Sequence, residues 1–286
     1  MLTKESIQKT ALAEHQLAMW YLGQVGFLFL YRGKTILIDG YLSDYVDRNC
    51  SNALLSWVRR YPVPLDPCSL DFVDAVLCSH AHEDHTDPDT IKAILSVNDH
   101  ACFIGTHAVA DRFLSLGVPG HRIAALDNDA SIRLSDDIVI KNVPSAHEEL
   151  HPDKSGQYEE GGFLLTFGAG SDAISVYHAG DGCPWDGLES RLRGQGGRGP
   201  DIAILPVNGR DYYRRHDKNI IGNFDCVEAI TLAQHIGADY IFPVHIDLYD
   251  VNALNPAIFV DILEKQNPKQ NYHIFRPGER MIYAKE

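Results

Sequence analysis

The sequence predicts an α+β fold in which β-sheets are covered by helices, in two roughly similar halves. Short apolar runs of strand length dominate the 286 residues, and amphipathic runs of helix length recur between them in both halves. Apolar runs of about four to eight residues read as buried strands, and helices interposed between such strands cover the faces of a sheet. Four of the strands run directly into a histidine or an aspartate, which ties the architecture to chemistry.

The lead-in, residues 1–14, is polar. Residues 17–22, 27–31 and 35–39 are apolar strands punctuated by Gly23, Gly26 and Arg32-Gly33-Lys34, an opening β-meander. Residues 40–70, with Trp57, three prolines and scattered charges, read as irregular structure with one short helix near 52–59. Residues 75–79 form a buried strand, 80–87 a polar loop and 88–97 an amphipathic helix with Ile91, Ile94 and Leu95 on one face. A second such unit follows: strand 102–105, helix 107–116 stopped by Gly117, and strand 123–126. Residues 131–134 and 138–144 give a two-strand pattern. The polar stretch 148–162, with His151-Pro152-Asp153, is too long for a tight connection and reads as a loop over a site. Strands resume at 163–167 and 173–178, and the glycine-rich residues 194–200 read as a flexible connection to the strand 202–207. A helix over 224–236 opened by Asn223 or Asp225, a strand at 240–244, a helix near 256–266 and strands at 272–275 and 281–283 complete the chain. No linker-like break divides it, so residues 1–286 are expected to form a single domain.

With 45% hydrophobic and 22% charged residues, the chain has the composition of a globular protein with a sizeable core, which excludes disorder as its main state. The formal net charge of −14, from 39 acidic and 25 basic residues, argues against partnership with a nucleic-acid backbone or an anionic membrane. Six cysteines without a C-x-x-C pair suit reduced thiols. Residues 1–14 lack the pattern of a secretory signal, and no segment reaches the roughly 18 apolar residues of a membrane span, so a cytoplasmic location is expected. Assembly into a homo-oligomer is left open by the sequence.

The strand over 74–79 ends at His80, that over 138–146 at His147, that over 174–180 at Asp181 and that over 240–244 at His245. Residues just past strand ends project from a rigid sheet into a common cleft, so distant positions can converge there. The stretch His80-Ala81-His82-Glu83-Asp84-His85 puts three imidazoles and a carboxylate into one loop. Imidazole nitrogen and carboxylate oxygen suit zinc, manganese or iron, and the spacing lets His80 and His82 face one ion while Asp84 and His85 face a neighbour. A single histidine there would read as part of a solvated loop. Three of them with an aspartate, straight after a buried strand, point to a metal site.

His80, His82, Asp84 and His85 meet the signature H-x-H-x-D-H, through which the chain resembles the metallo-β-lactamase superfamily over nearly its whole length. The strand ending in Asp39 is similar to the superfamily's first motif, whose aspartate supports the site. His147, Asp181 in His-Ala-Gly-Asp, and His245 are similar to its later motifs. The resemblance implies a four-layer αβ/βα sandwich. It further implies a first metal on His80, His82 and His147, a second on Asp84, His85 and His245, and Asp181 touching both. One or two divalent ions, manganese or zinc ahead of iron, would be held, with Asp84, Asp181 and His245 as the catalytic residues. Within the superfamily the chain resembles the L-ascorbate-6-phosphate lactonase group, in Ala18-Met19-Trp20-Tyr21-Leu22-Gly23, Val73-Asp74-Ala75-Val76-Leu77, Phe103-Ile104-Gly105, Gly117-Val118-Pro119 and Tyr177-His178-Ala179-Gly180-Asp181. It differs from that group over residues 208–215 and is expected to lack its C-terminal extension.

The implied activity is that of a metal-dependent hydrolase, a lactonase acting on the lactone of a phosphorylated sugar acid, with a small anionic molecule as substrate. The rival readings are a metal-dependent phosphodiesterase for a small or lipid-type phosphodiester and a non-hydrolytic di-iron redox protein of the same fold. The net charge argues against large nucleic acids, and no flavin-binding motif supports the redox reading.

Arg210-Asp211-Tyr212-Tyr213-Arg214-Arg215-His216-Asp217-Lys218 follows the strand that ends at Val207. Guanidinium forks match phosphate geometry, so Arg210, Arg214 and Arg215 read either as a clamp for an anionic group or as an exposed loop of balanced charge. His151, in the long polar loop, is the other substrate candidate. His178 reads as a hydrogen-bonded group of the core or of the site's surroundings. His107 opens a helix, and His15, His100, His121, His235 and His273 have no ligand context.

Overall fold

The apolar residues of the first strands split between two buried faces, and that split dictates the layering. In β1 (Gln16–Gly23), Leu17, Met19 and Tyr21 enter one core while Ala18, Trp20 and Leu22 enter another. In β2 (Gly26–Tyr31), Phe27, Phe29 and Tyr31 alternate in the same way with Leu28 and Leu30. Side chains of a strand point to opposite faces in turn, so a strand apolar on both needs a second sheet on one side and helices on the other.

A computed structural model describes residues 2–53, 55–194 and 197–285. Along the first half, α1 (Lys4–Gln8) precedes β1 and β2. These are followed by β3 (Lys34–Ile38), α2 (Tyr45–Cys50), β4 (Ala75–Leu77), α3 (Pro88–Val97), β5 (Cys102–Gly105), α4 (His107–Ser115) and β6 (Ile123–Ala125). The second half runs through β7 (Ser131–Ser135), β8 (Ile138–Pro144), β9 (Gly161–Phe167), β10 (Ile174–His178), α5 (Leu188–Leu192), β11 (Ile202–Pro206), α6 (Cys226–Ile236), β12 (Tyr240–Val244), α7 (Pro256–Gln266), β13 (Asn271–Tyr272) and β14 (Arg280–Ala284).

Two seven-stranded sheets result, in the orders β14-β1-β2-β3-β4-β5-β6 and β13-β12-β11-β10-β9-β8-β7. Each joins antiparallel strands to a parallel series, β3 to β6 in one and β10 to β13 in the other. Phe27, Phe29, Phe163, Phe167 and Phe242 pack between the sheets. Ile91, Ile94, Val109 and Phe113 of α3 and α4 cover the outer face of the first sheet. Leu188, Ile230 and Phe259 of α5, α6 and α7 cover that of the second. The architecture is the αβ/βα sandwich implied by the resemblance.

The helices begin where the sequence supplies caps. The Asp87 side chain accepts from Asp89 N with Pro88 at the first position of α3, and Asp225 and Glu228 form a reciprocal capping box that opens α6. The short helix expected near 52–59 is absent among the described residues, Leu54 lying outside them, and a helix stands at Tyr45–Cys50 instead. Polar side chains divert the backbone there: Ser51 Oγ accepts from Trp57 N at 2.9 Å, and Asn52 and Leu55 bond each other's main chain in a turn. The strand expected at 272–275 is confined to Asn271–Tyr272, with Phe275 packed into the inter-sheet core. Two residues of the glycine-rich connection 194–200, Gln195 and Gly196, lie outside the described residues. No helix among the described residues is long and apolar enough to cross a membrane.

Candidate metal centre

Five strand ends converge at one edge of the sandwich. Just past β3, Asp39 takes a left-handed backbone (φ 45°), and just past β12 His245 does the same (φ 62°), conformations that non-glycine residues adopt only where surrounding structure enforces them. Past β10, Gly180 has φ 62°, and a Cβ there would stand 2.5 Å from that of Ser79, so only glycine lets the Asp181 segment close against the end of β4.

The convergence yields five imidazoles and two carboxylates in three overlapping groups, His80/His82/His147, His80/His85/Asp181 and Asp84/His85/His245. Within each group the donor atoms lie within 4.8 Å of one another. Asp181 joins the two sides: its Oδ1 is 3.5 Å from His85 Nε2, and its Oδ2 is 3.4 Å from His245 Nε2 and 3.8 Å from His147 Nε2. Asp39, fully buried, supports the centre from behind, with Oδ2 3.0 Å from His85 Nδ1 and Oδ1 accepting from Ser79 N at 2.7 Å. Carboxylate support of this kind fixes the tautomer of a ligating histidine.

The residues present fit divalent cations. His85 Nε2 and Asp181 Oδ1 are buried, face each other and have no hydrogen-bond partner, a costly state for a chain that uses them for nothing else. Burial holds the imidazole of His147 down at about 4 and that of His80 well below the usual histidine range, so both stay neutral with a lone pair to give. At His85 and His245 burial works in the same direction, but the neighbouring carboxylates, Asp181 foremost, outweigh it and raise both. Burial opposes the charge of Asp181, yet His245 and His85 hold its carboxyl well below the usual carboxylate range. Nitrogen and carboxylate donors of this mixture suit a divalent transition-metal ion.

A Beta-lactamase superfamily domain model matches residues 34–246, which include all seven ligand candidates. The chain belongs to the metallo-β-lactamase superfamily. It is 21% identical over 299 residues to a probable L-ascorbate-6-phosphate lactonase of Shigella dysenteriae, covering 96% of this chain and 81% of that one. An uncharacterized protein of Mycobacterium tuberculosis is 37% identical over 114 residues, and the match spans 38% of this chain and only 30% of that protein's length. Among solved structures, an isothiocyanate hydrolase from Delia radicum gut bacteria superposes with a TM-score of 0.71 at 17% identity, covering 94% of this chain and all of that one.

In this superfamily member the seven expected ligands come together, whereas the four expected substrate residues do not join them. Arg210 grips Glu228 through both terminal nitrogens at 2.7 and 2.6 Å. Arg214 is tied to Asp211, to Asn208 O at 2.8 Å and to Asn252 Oδ1 at 3.0 Å, and Arg215 lies 2.9 Å from Glu148. His151 pairs with Glu160 at 3.2 Å. None of these four lines the cavity over the ligands, which has a volume of about 250 Å³. The long polar loop contributes no wall to it either, being tied instead to Thr106 and Asn128. The walls come from Val46, Cys50, Trp57, Ile220, Ile221 and Tyr249, residues that the sequence did not mark as part of a site. His178 is a core histidine as expected, with Nε2 2.7 Å from Val25 O and Nδ1 accepting from Gly180 N.

Proposed function

We propose that this metal-dependent hydrolase opens a small lactone that needs no phosphate for recognition. The observation that carries the reading is the cavity itself: Val46, Trp57, Ile220 and Ile221 form an apolar wall above the ligands, and among the described residues no lysine or arginine lines it. A side-arm phosphate held against that wall, away from the cation positions, would lack the cationic partner that makes such burial tolerable. Lactone hydrolysis as the reaction is supported by the resemblance to the Shigella lactonase along most of the chain.

Divalent cations bound by these ligands would polarise the substrate carbonyl and bring the pKa of water down to about 7. The chain's own share is orientation and exclusion of water. Asp84 and His245 line the cavity beside Asp181, which faces the imidazoles of both groups, so a water and a carbonyl bound there would be oriented by fixed dipoles. Burial of His85 and Asp39 behind them keeps that arrangement from relaxing into solvent.

Steady-state kinetics on paired lactones, with and without a phosphate on the side arm, test the reading. We expect kcat/KM values within about tenfold of each other, since a discriminating phosphate contact carries more than about 1.4 kcal/mol. A preference above about a hundredfold for the phosphorylated member would overturn it, as would faster turnover of phosphodiesters than of any lactone.

A further inference from the structure

We propose that Gln24 is a ligand of the second cation position, its side-chain carbonyl completing the set formed by Asp84, His85 and His245. The inference rests on the reading of those three residues as a cation site and adds a residue that the signature does not contain.

Gln24 sits at the tip of the β1–β2 hairpin with only 2% of its surface exposed, and its Nε2 lies 2.9 Å from Asp84 Oδ2 and 2.9 Å from His245 Nε2. The side chain therefore occupies the gap between two donor atoms of the site. Its backbone is pinned in that position. Gln24 takes a left-handed conformation (φ 57°), its carbonyl accepts from His245 N at 2.7 Å and from the Tyr21 hydroxyl at 3.1 Å, and its N–H donates to Asp247 Oδ1 and Tyr61 Oη, each at 3.2 Å. The bond from His245 N joins two left-handed non-glycine residues, so the hairpin tip and the last metal-ligand candidate hold one another in place.

A terminal carboxamide presents an amino donor or a carbonyl acceptor at nearly the same point after a half-turn about its last bond. The amino group facing Asp84 and His245 satisfies two buried acceptors when no cation lies between them. With a cation there, two donors already face it and the carbonyl is the group that completes their set, as glutamine and asparagine carbonyls do at oxygen-rich sites. A neutral oxygen ligand also favours a hard ion over a soft one. Gln24 thus sets both the affinity and the metal preference of the second position while leaving the first untouched.

Calorimetric titration of chelator-stripped protein with manganese and with zinc tests this, on wild type, Gln24→Glu and Gln24→Leu. Two binding events are expected in wild type. The tighter one should be unchanged in both variants, while the weaker one should be strengthened about tenfold or more in Gln24→Glu and weakened about tenfold or more in Gln24→Leu. Gln24→Glu keeps the side chain's size, so it decides the question even if the leucine variant does not fold. Two events at wild-type affinity in the variants, or a second event weakened by glutamate as well, would overturn the ligand role alone. A wild-type chain that takes up only one cation would overturn the second site and the proposal with it.

Discussion

Asp39 and His85 form a pair shut off from solvent on both sides, with Asp39 Oδ2 3.0 Å from His85 Nδ1. In the neutral, cation-binding form of the ring the carboxylate would keep the proton on Nδ1 and leave the lone pair on Nε2, the atom that faces Asp181 without a partner. Asp39→Asn keeps the size of the side chain, but its amino group can donate to Nδ1 and turn the tautomer round. The expected result is a loss of about 10- to 100-fold in affinity for the cation on His85, measured by competition with a chromogenic chelator. Unchanged affinity would show that the pair acts only in folding.

Asp181 faces histidines of both groups. Asp181→Ala should lower the bound metal from two ions toward one and remove most hydrolytic activity. Because Asp181 lies beyond the end of β10, the far-ultraviolet circular dichroism should stay that of wild type. Full metal content and full activity in this variant would contradict the ligand assignment.

Much of this centre was legible because its ligands follow strands whose apolar runs are continuous: Val76 and Leu77 lead to His80, and Phe242 and Val244 lead to His245. Burial on both faces leaves such strands one reading, and the ligand types do the rest. The cavity wall was not legible, because residues such as Trp57 belong to a segment whose shape is set by side-chain-to-backbone bonds, among them that from Trp57 N to Ser51 Oγ, which carry no periodicity. The arginine run left two readings open for a related reason. Its charge suggests an anion, while the acids that neutralise it, Glu148 and Glu228, are distant in sequence or on another element. Gln24 escaped notice inside a Gly-Gln-Val-Gly turn, where the glycines signal only a hairpin.

Acid should strip the two cation positions in a definite order. The carboxylates raise His85 and His245 despite their burial, so protons compete for these ligands at comparatively high pH. Burial lowers His147 to about 4 and lowers His80 as well, so protons compete there only in stronger acid. As pH falls, the cation on Asp84, His85 and His245 should leave first, and that on His80, His82 and His147 should persist further toward pH 4. Metal content of the wild-type protein after dialysis at stepped pH would show two separate losses. One simultaneous loss in wild type would contradict the difference between the two groups.

The arginine run should prove structural, and its members should differ among themselves. Arg214 is only 17% exposed and donates to Asn208 O and Asn252 Oδ1, anchoring the segment beside the cavity wall. Removing it strands partly buried acceptors, and Arg214→Ala is expected to cost about 1–3 kcal/mol in a denaturant melt. Arg210 and Arg215 are 38% and 44% exposed in their pairs with Glu228 and Glu148, and solvent screening limits each such pair to about 0–1 kcal/mol. In kinetics, Arg210→Ala and Arg215→Ala should change kcat/KM by the same factor for a phosphorylated lactone and its unphosphorylated analogue, because a group held by its own acid gives nothing to a phosphate. A selective loss of about tenfold or more on the phosphorylated substrate in either variant would mean that the arginine exchanges its acid for the substrate, and would restore the anion clamp that the charge pattern suggests.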